Sequence, residues 1–224
     1  MEFKPLKSTM TYRANGLFSQ LSQFKRLSLL IILIMWCTNV IAIKKNIKEH
    51  FPHLAYQYEV ARPEDANMTD IFSSIYRSRE WGGHGLGSGS GSTMRETVNA
   101  RAQIPDIVRR YGIKSFLDAP CGAMLWMPLI IQNITDNIDP SFKYVGVDIV
   151  PSVIEDVKKR FADKPWEFRT GDITKDIISE KFDMIMARDV FFHLPYGSIH
   201  CALNHISNSG AKWLLTTTSP GVRN

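Results

Sequence analysis

From residue 93 onward, helical and strand-like spacings of apolar residues alternate along this chain. Over residues 96–111, Val98, Ile104, Ile107 and Val108 line one stripe, as an amphipathic helix requires. Residues 115–119 (SFLDA) are a short apolar run that predicts a strand, and the apolar stretch 123–132 predicts a helix. A second strand is predicted at 143–148 (KYVGVD). Over 151–161 a proline opens the pattern near the first turn, and Val153, Ile154, Val157 and Phe161 share a face, which predicts a helix. Residues 166–169 and 182–187 (FDMIMA) predict a third and a fourth strand, 196–207 a helix, and 212–218 (KWLLTTT) a fifth strand. Short apolar strands separated by helices of this length predict an α/β fold, a Rossmann-like parallel sheet with helices on both faces. Right-handed crossovers then gather the C-terminal ends of the strands along one edge, where ligands bind.

The upstream pattern differs. Residues 27–43 (LSLLIILIMWCTNVIAI) run for 17 positions without a charge. As a helix they reach about 26 Å, the short end of a membrane span. Lysines and arginines flank the run on both sides. The expected organisation is a cytosolic tail at 1–26, a single-pass transmembrane anchor at 27–43, a stem or helical extension at 44–80, and the folded domain at 81–224. Cleavage after Ala42 is the alternative, with Val40 and Ala42 as the small residues. Both readings place the domain in the lumen or outside the cell, and sequons at Asn67 and Asn133 agree with that.

Charge changes the picture of partners. The chain carries a net charge of +5, but residues 1–45 alone hold seven basic side chains and one acidic. The rest is near neutral, so there is no basic surface of the kind that tracks nucleic-acid phosphates, and no nucleic-acid partner is expected. Three cysteines without a CxxC spacing exclude a disulfide scaffold and a zinc ribbon.

Candidate chemistry sits at the strand ends. Asp118, Ala119, Pro120, Cys121 and Gly122 stand where the first strand turns into a helix. Gly122 lets the backbone approach a ligand, and the helix start is expected to offer unpaired N–H groups. The GxGxxG of a dinucleotide site is absent, which disfavours a nicotinamide-dependent oxidoreductase. Asp148 closes the second strand, where a carboxylate can accept from both hydroxyls of a ribose. Asp172 follows the third, where a carboxylate can accept from the exocyclic amine of adenine while the Ile173 N–H donates to the ring. Three carboxylates ending three successive strands predict a single nucleoside site.

These segments, with 170–174 (TGDIT) and 187–194 (ARDVFFHL), resemble the successive motifs of class I S-adenosylmethionine-dependent methyltransferases. The nearest resemblance is to a subgroup with a DAPCG turn followed by Trp-Met, here Trp126 and Met127. The resemblance implies S-adenosylmethionine as cofactor and a seven-stranded sheet. It assigns Asp118 and Gly122 to the methionine part, Asp148 to the ribose and Asp172 with Ile173 to the adenine. Arg188 and Asp189 are placed at the end of the fourth strand, facing cofactor and substrate. Asp189 and His193 are the candidates for the base or orienting group in methyl transfer to oxygen or nitrogen. No second ligand pair accompanies them, so no metal is expected. The glycine- and serine-rich stretch 81–92 reads either as a flexible linker or as a loop close to the ligand, and the resemblance favours the loop. Pro120 and Ala123 depart from the pattern, the latter standing where the subgroup has an acidic residue. The chain ends just past the fifth strand, without sequence for the family's last two strands. The expectation is a C-terminally truncated domain with an exposed apolar edge strand, the alternative being that the N-terminal part covers it. A truncated, non-catalytic binding protein is therefore the second functional reading. The acceptor expected from the luminal placement is a small molecule or a glycan.

Overall fold

The computed structural model describes residues 40–44, 67–82, 86–176 and 178–217. Strand β1 (Val40–Lys44) is followed by helix α1 (Met68–Ser78), helix α2 (Val98–Tyr111) and strand β2 (Ser115–Asp118). Helix α3 (Met127–Asn137), strand β3 (Lys143–Asp148), helix α4 (Pro151–Arg160) and strand β4 (Glu167–Thr170) come next. Strand β5 (Met184–Ala187), helix α5 (Tyr196–Asn208) and strand β6 (Trp213–Thr217) complete the order. The sheet runs β1-β6-β5-β2-β3-β4. Strands β2 to β6 are mutually parallel, and β2 lies between β3 and β5.

Both faces of this sheet are covered, which is why its strands read as unbroken apolar runs. Phe116, Tyr144, Met184, Met186, Trp213 and Leu215 point to one face and pack with Ile104, Ile107 and Val108 of α2, Ile130, Ile131 and Ile134 of α3, and Ile154 and Val157 of α4. Their neighbours in sequence, Leu117, Val145, Ile185 and Leu214, point to the other face and meet Ile206 of α5. The two-residue period of the strands thus fills two cores at once.

Two expectations are corrected here. The predicted membrane span at 27–43 does not continue to its end as a helix. Val40–Lys44 is a strand, paired antiparallel with β6 in the register Val40 to Thr217 and Lys44 to Trp213. Residues 27–39 lie outside the described residues. Among the described residues no helix is long and apolar enough to cross a membrane. The physical reason is that an apolar, β-branched run such as VIAI satisfies a strand as well as a helix, and β6 offers a row of backbone groups to pair with. The same pairing removes the second expectation, that β6 is left as an exposed apolar edge.

Helix α3 begins at Met127, four residues later than the apolar pattern placed it. Met124 has a φ of 53°, a left-handed backbone that interrupts any helix, and Pro128 then stands in the first turn.

Candidate active site

The C-terminal ends of β2, β3, β4 and β5 open onto one cavity. Asp118, Asp148 and Asp172 all line it, together with Gly122, Ile173, Arg188, Asp189 and His193. The candidate cofactor-binding and catalytic residues expected from the sequence therefore line a common space.

Asp118 is 2% exposed at the end of β2. Its Oδ2 accepts from the Tyr144 hydroxyl at 2.8 Å, while its Oδ1 is buried without a hydrogen-bond partner. Burial pushes its carboxyl up to about 7, against the pull of Tyr144 and Arg188 and with a push from Asp148. Asp148 is equally buried, and its oxygens accept from the Gly122 and Val150 N–H groups, each at 3.0 Å. Burial raises it to about 6 despite those donors. Asp172 folds its Oδ1 back onto the N–H and hydroxyl of Thr174, at 2.8 and 2.7 Å. Its Oδ2 is buried without a hydrogen bond, the Lys175 ammonium standing 3.7 Å away. Buried acceptors without a partner are few in folded proteins, and here two belong to residues that line the cavity, where a ligand, an ion or water can complete their hydrogen bonding.

In the turn after β2 the N–H groups of Cys121, Gly122 and Ala123 are all taken, that of Cys121 by the Val147 carbonyl. The Gly122 N–H is taken by Asp148, and the Ala123 N–H donates to Ser88 Oγ at 2.9 Å. Ser88 belongs to the glycine-rich stretch and also shares a hydrogen bond with the Tyr76 hydroxyl at 2.8 Å. Gly122 has a φ of 55°, and a Cβ there would stand 2.8 Å from Ser88 Oγ, so glycine is required on both counts. Residues 86–92 of the stretch are thus a strap packed over the turn rather than a linker. Its other end is held by Arg188, which donates to the Gly91 carbonyl at 3.0 Å.

Helix α1 supplies the second wall. Met68, Phe72 and Tyr76 line the cavity beside Trp81, although the sequence pattern gave this stretch no site residue. The only local signal was the amphipathic spacing of these three side chains, which says that a face is buried but not against what.

Asp189 has a φ of 53°, which for a non-glycine residue is held only by its surroundings. Its N–H donates to Thr217 Oγ1 at 2.9 Å, and its carboxylate is 2.7 Å from Arg188. With Arg188 also over the Trp126 ring, at 5.2 Å, the two charges neutralise one another inside the wall. His193, in a single 3-10 turn (Phe191–His193), stacks on Trp81 with ring centroids 4.6 Å apart. Burial lowers its pKa, partly offset by Asp189, so the imidazole is neutral and able to take a proton at neutral pH. His205 bonds through Nδ1 to the Ile173 carbonyl at 3.1 Å and steadies the loop after β4. Cys121 has its thiol pushed up by burial and by the charges of Asp148 and Asp118, the reverse of a reactive cysteine.

Residues 117–207 match the family model described as a methyltransferase domain. No curated protein matches the chain. Among solved structures, human N-acetylserotonin methyltransferase in complex with S-adenosylmethionine is similar at 20% identity and a TM-score of 0.48, covering 75% of this chain and 47% of its own. The methyltransferase domain of bacterial CtHen1 is similar at 17% identity and a TM-score of 0.45, covering 52% of this chain and 63% of its own. A TehB-like S-adenosylmethionine-dependent methyltransferase from Corynebacterium glutamicum is similar at 23% identity and a TM-score of 0.40, covering 64% and 68%. The alignments thus span from about half to two thirds of these structures' own length.

Proposed function

We propose that this chain, whose residues 117–207 match the methyltransferase-domain model, is a class I S-adenosylmethionine-dependent methyltransferase and transfers a methyl group to a hydroxyl or amine presented beside Trp81 and His193. The observation that supports this best is the convergence of three strand-end carboxylates on one cavity, two of them with a buried oxygen that lacks a hydrogen-bond partner.

S-adenosylmethionine supplies an electrophilic methyl on a positive sulfur. The residues of this chain hold and orient. Asp118 Oδ1 accepts from the amino group of the methionine part, where a cation also relieves the cost of a buried carboxylate. Asp148 accepts from the ribose hydroxyls with the lone pairs that Gly122 and Val150 leave. Asp172 Oδ2 accepts from the adenine amine, and the Ile173 N–H donates to the ring. Gly122 admits the close approach of Ser88 to the turn, and Arg188 borders the methionine part.

His193 removes the proton as the acceptor attacks, because it is neutral near pH 7 and lines the cavity. Asp189 is an orienting group rather than a base, since its charge is committed to Arg188. The edge of β6 is paired with β1, and the Ala123 N–H donates to Ser88 Oγ.

Titration calorimetry with S-adenosylhomocysteine tests the assignment. One molecule should bind per chain, and NAD should not. Changing Asp148 to Ala should weaken binding by about 1–3 kcal/mol through lost charge-assisted hydrogen bonds. Binding of NAD in its place, or an unaltered affinity in the variant, would refute the assignment.

A further inference from the structure

Tyr144 is a phenol in a position built for a phenylalanine. It stands on β3 opposite Phe116 of β2, is 1% exposed, and packs among Phe116, Trp166 and Phe168. A hydroxyl buried there costs free energy unless it is hydrogen-bonded. Asp118 lies two residues beyond Phe116 on the same face, the diagonal neighbour that a long aromatic side chain can reach across strands. The Tyr144 hydroxyl donates to Asp118 Oδ2 at 2.8 Å and lies 3.1 Å from Met124 Sδ. A phenol has one proton to give. Given to Oδ2, it leaves Oδ1 buried and unpartnered, in a residue that lines the cavity.

We propose that Tyr144 is a positioning residue for the cofactor: its hydroxyl locks the Asp118 carboxylate with Oδ1 toward the cavity, and thereby sets the pH at which the site loses its ligand. This rests on the cofactor reading above, in which Oδ1 receives the ammonium. Four groups face Asp118: Tyr144 of β3, Asp148 at the end of β3, Arg188 beyond β5, and Cys121 in the turn. Tyr144 and Arg188 favour the carboxylate, while burial, above all, and Asp148 favour its protonated form, with the balance near 7. Only the carboxylate can hold an ammonium, so affinity falls as pH drops through that value. Removal of the Tyr144 hydroxyl withdraws a donor from the charged form and moves the fall to higher pH.

The test is calorimetric titration of S-adenosylhomocysteine into the full chain from about pH 5.5 to 8.5, for the wild type, Tyr144→Phe and Asp118→Asn. With a carboxyl titrating near 7, wild-type affinity should be about tenfold weaker at pH 6 than at pH 8. Tyr144→Phe should approach wild-type affinity at the alkaline end, with its midpoint displaced upward. Asp118→Asn should bind weakly and lose the slope around pH 7. A purely structural tyrosine would weaken binding equally at every pH. An unmoved midpoint in Tyr144→Phe, or a wild-type slope in Asp118→Asn, therefore overturns the proposal. The asparagine variant keeps the test decisive if Tyr144→Phe does not fold. Absence of binding to the wild type at every pH would instead remove the cofactor reading itself, and this proposal with it.

Discussion

Gly91 shows how little room single positions leave in this site. A Cβ placed there would stand 2.9 Å from Asp189 Oδ2, inside the closest approach real side chains make. Gly91→Ala should therefore push Asp189 off Arg188, and its cost should be about 1–3 kcal/mol, as for other overpacked interiors. Thermal denaturation would register that loss, and a variant as stable as the wild type would show that the strap can shift aside. The acidic residues of the site were legible in the sequence because each ends a strand, and strand ends in a parallel sheet share an edge. Ser88, Tyr76 and Tyr144 were not. Their contacts join residues 12 to 35 positions apart, and neither spacing nor residue type announces such a meeting. Asp189 was found as a site residue, but its pairing with Arg188 was not, since neighbours in sequence ordinarily point apart on a strand. The left-handed turn at Asp189 brings them together.

At the scale of elements, five of the six strands and the helices from α2 onward follow from apolar periodicity alone. The errors have definite causes. An apolar run has no direction of its own, so 27–43 reads as a span when its last residues are a strand. A helix pattern does not reveal a left-handed residue, so α3 was placed four residues early. The β1–β6 pairing carries its own prediction. Proline at both Ile41 and Ala42 removes two successive N–H groups, one of which must face β6 whichever way the strand alternates. β6 should then become an unpaired apolar edge, and the variant should associate with rising concentration where the wild type does not. Light scattering over a concentration series checks this, and unchanged scattering would mean that β1 is dispensable to the sheet.

Across the whole molecule, the site is a source of instability. Asp118 and Asp148 have carboxyls raised by burial to about 7 and about 6. The folded chain thus binds more protons than the unfolded one between the ordinary carboxylate range and those values. Their contribution to stability is complete below the ordinary carboxylate pKa and is lost as pH rises through the folded-state values. Glu180 acts oppositely: its hydrogen bonds to Lys143 and Arg169 lower its pKa, and the stability they lend disappears only on acidification through that lowered value. The ligand-free protein should therefore be most stable in mildly acidic solution and weaker at pH 8. Asp118→Asn should raise the pH 8 stability by roughly 2–4 kcal/mol while impairing ligand binding. Thermal melts at both pH values, with and without S-adenosylhomocysteine, would decide it. A variant less stable than the wild type at pH 8 would mean that the buried charge is better compensated than its surroundings indicate.

The place of β1 in the sheet has a consequence for biosynthesis. Its partner β6 leaves the ribosome long after β1 does, separated from it by every other element of the sheet. The apolar segment around Val40 must then wait, unpaired, through nearly the entire translation of the domain. Among the described residues, closure of the sheet joins its first strand to its last, so a nascent chain halted before Trp213 lacks the strand against which β1 is seated.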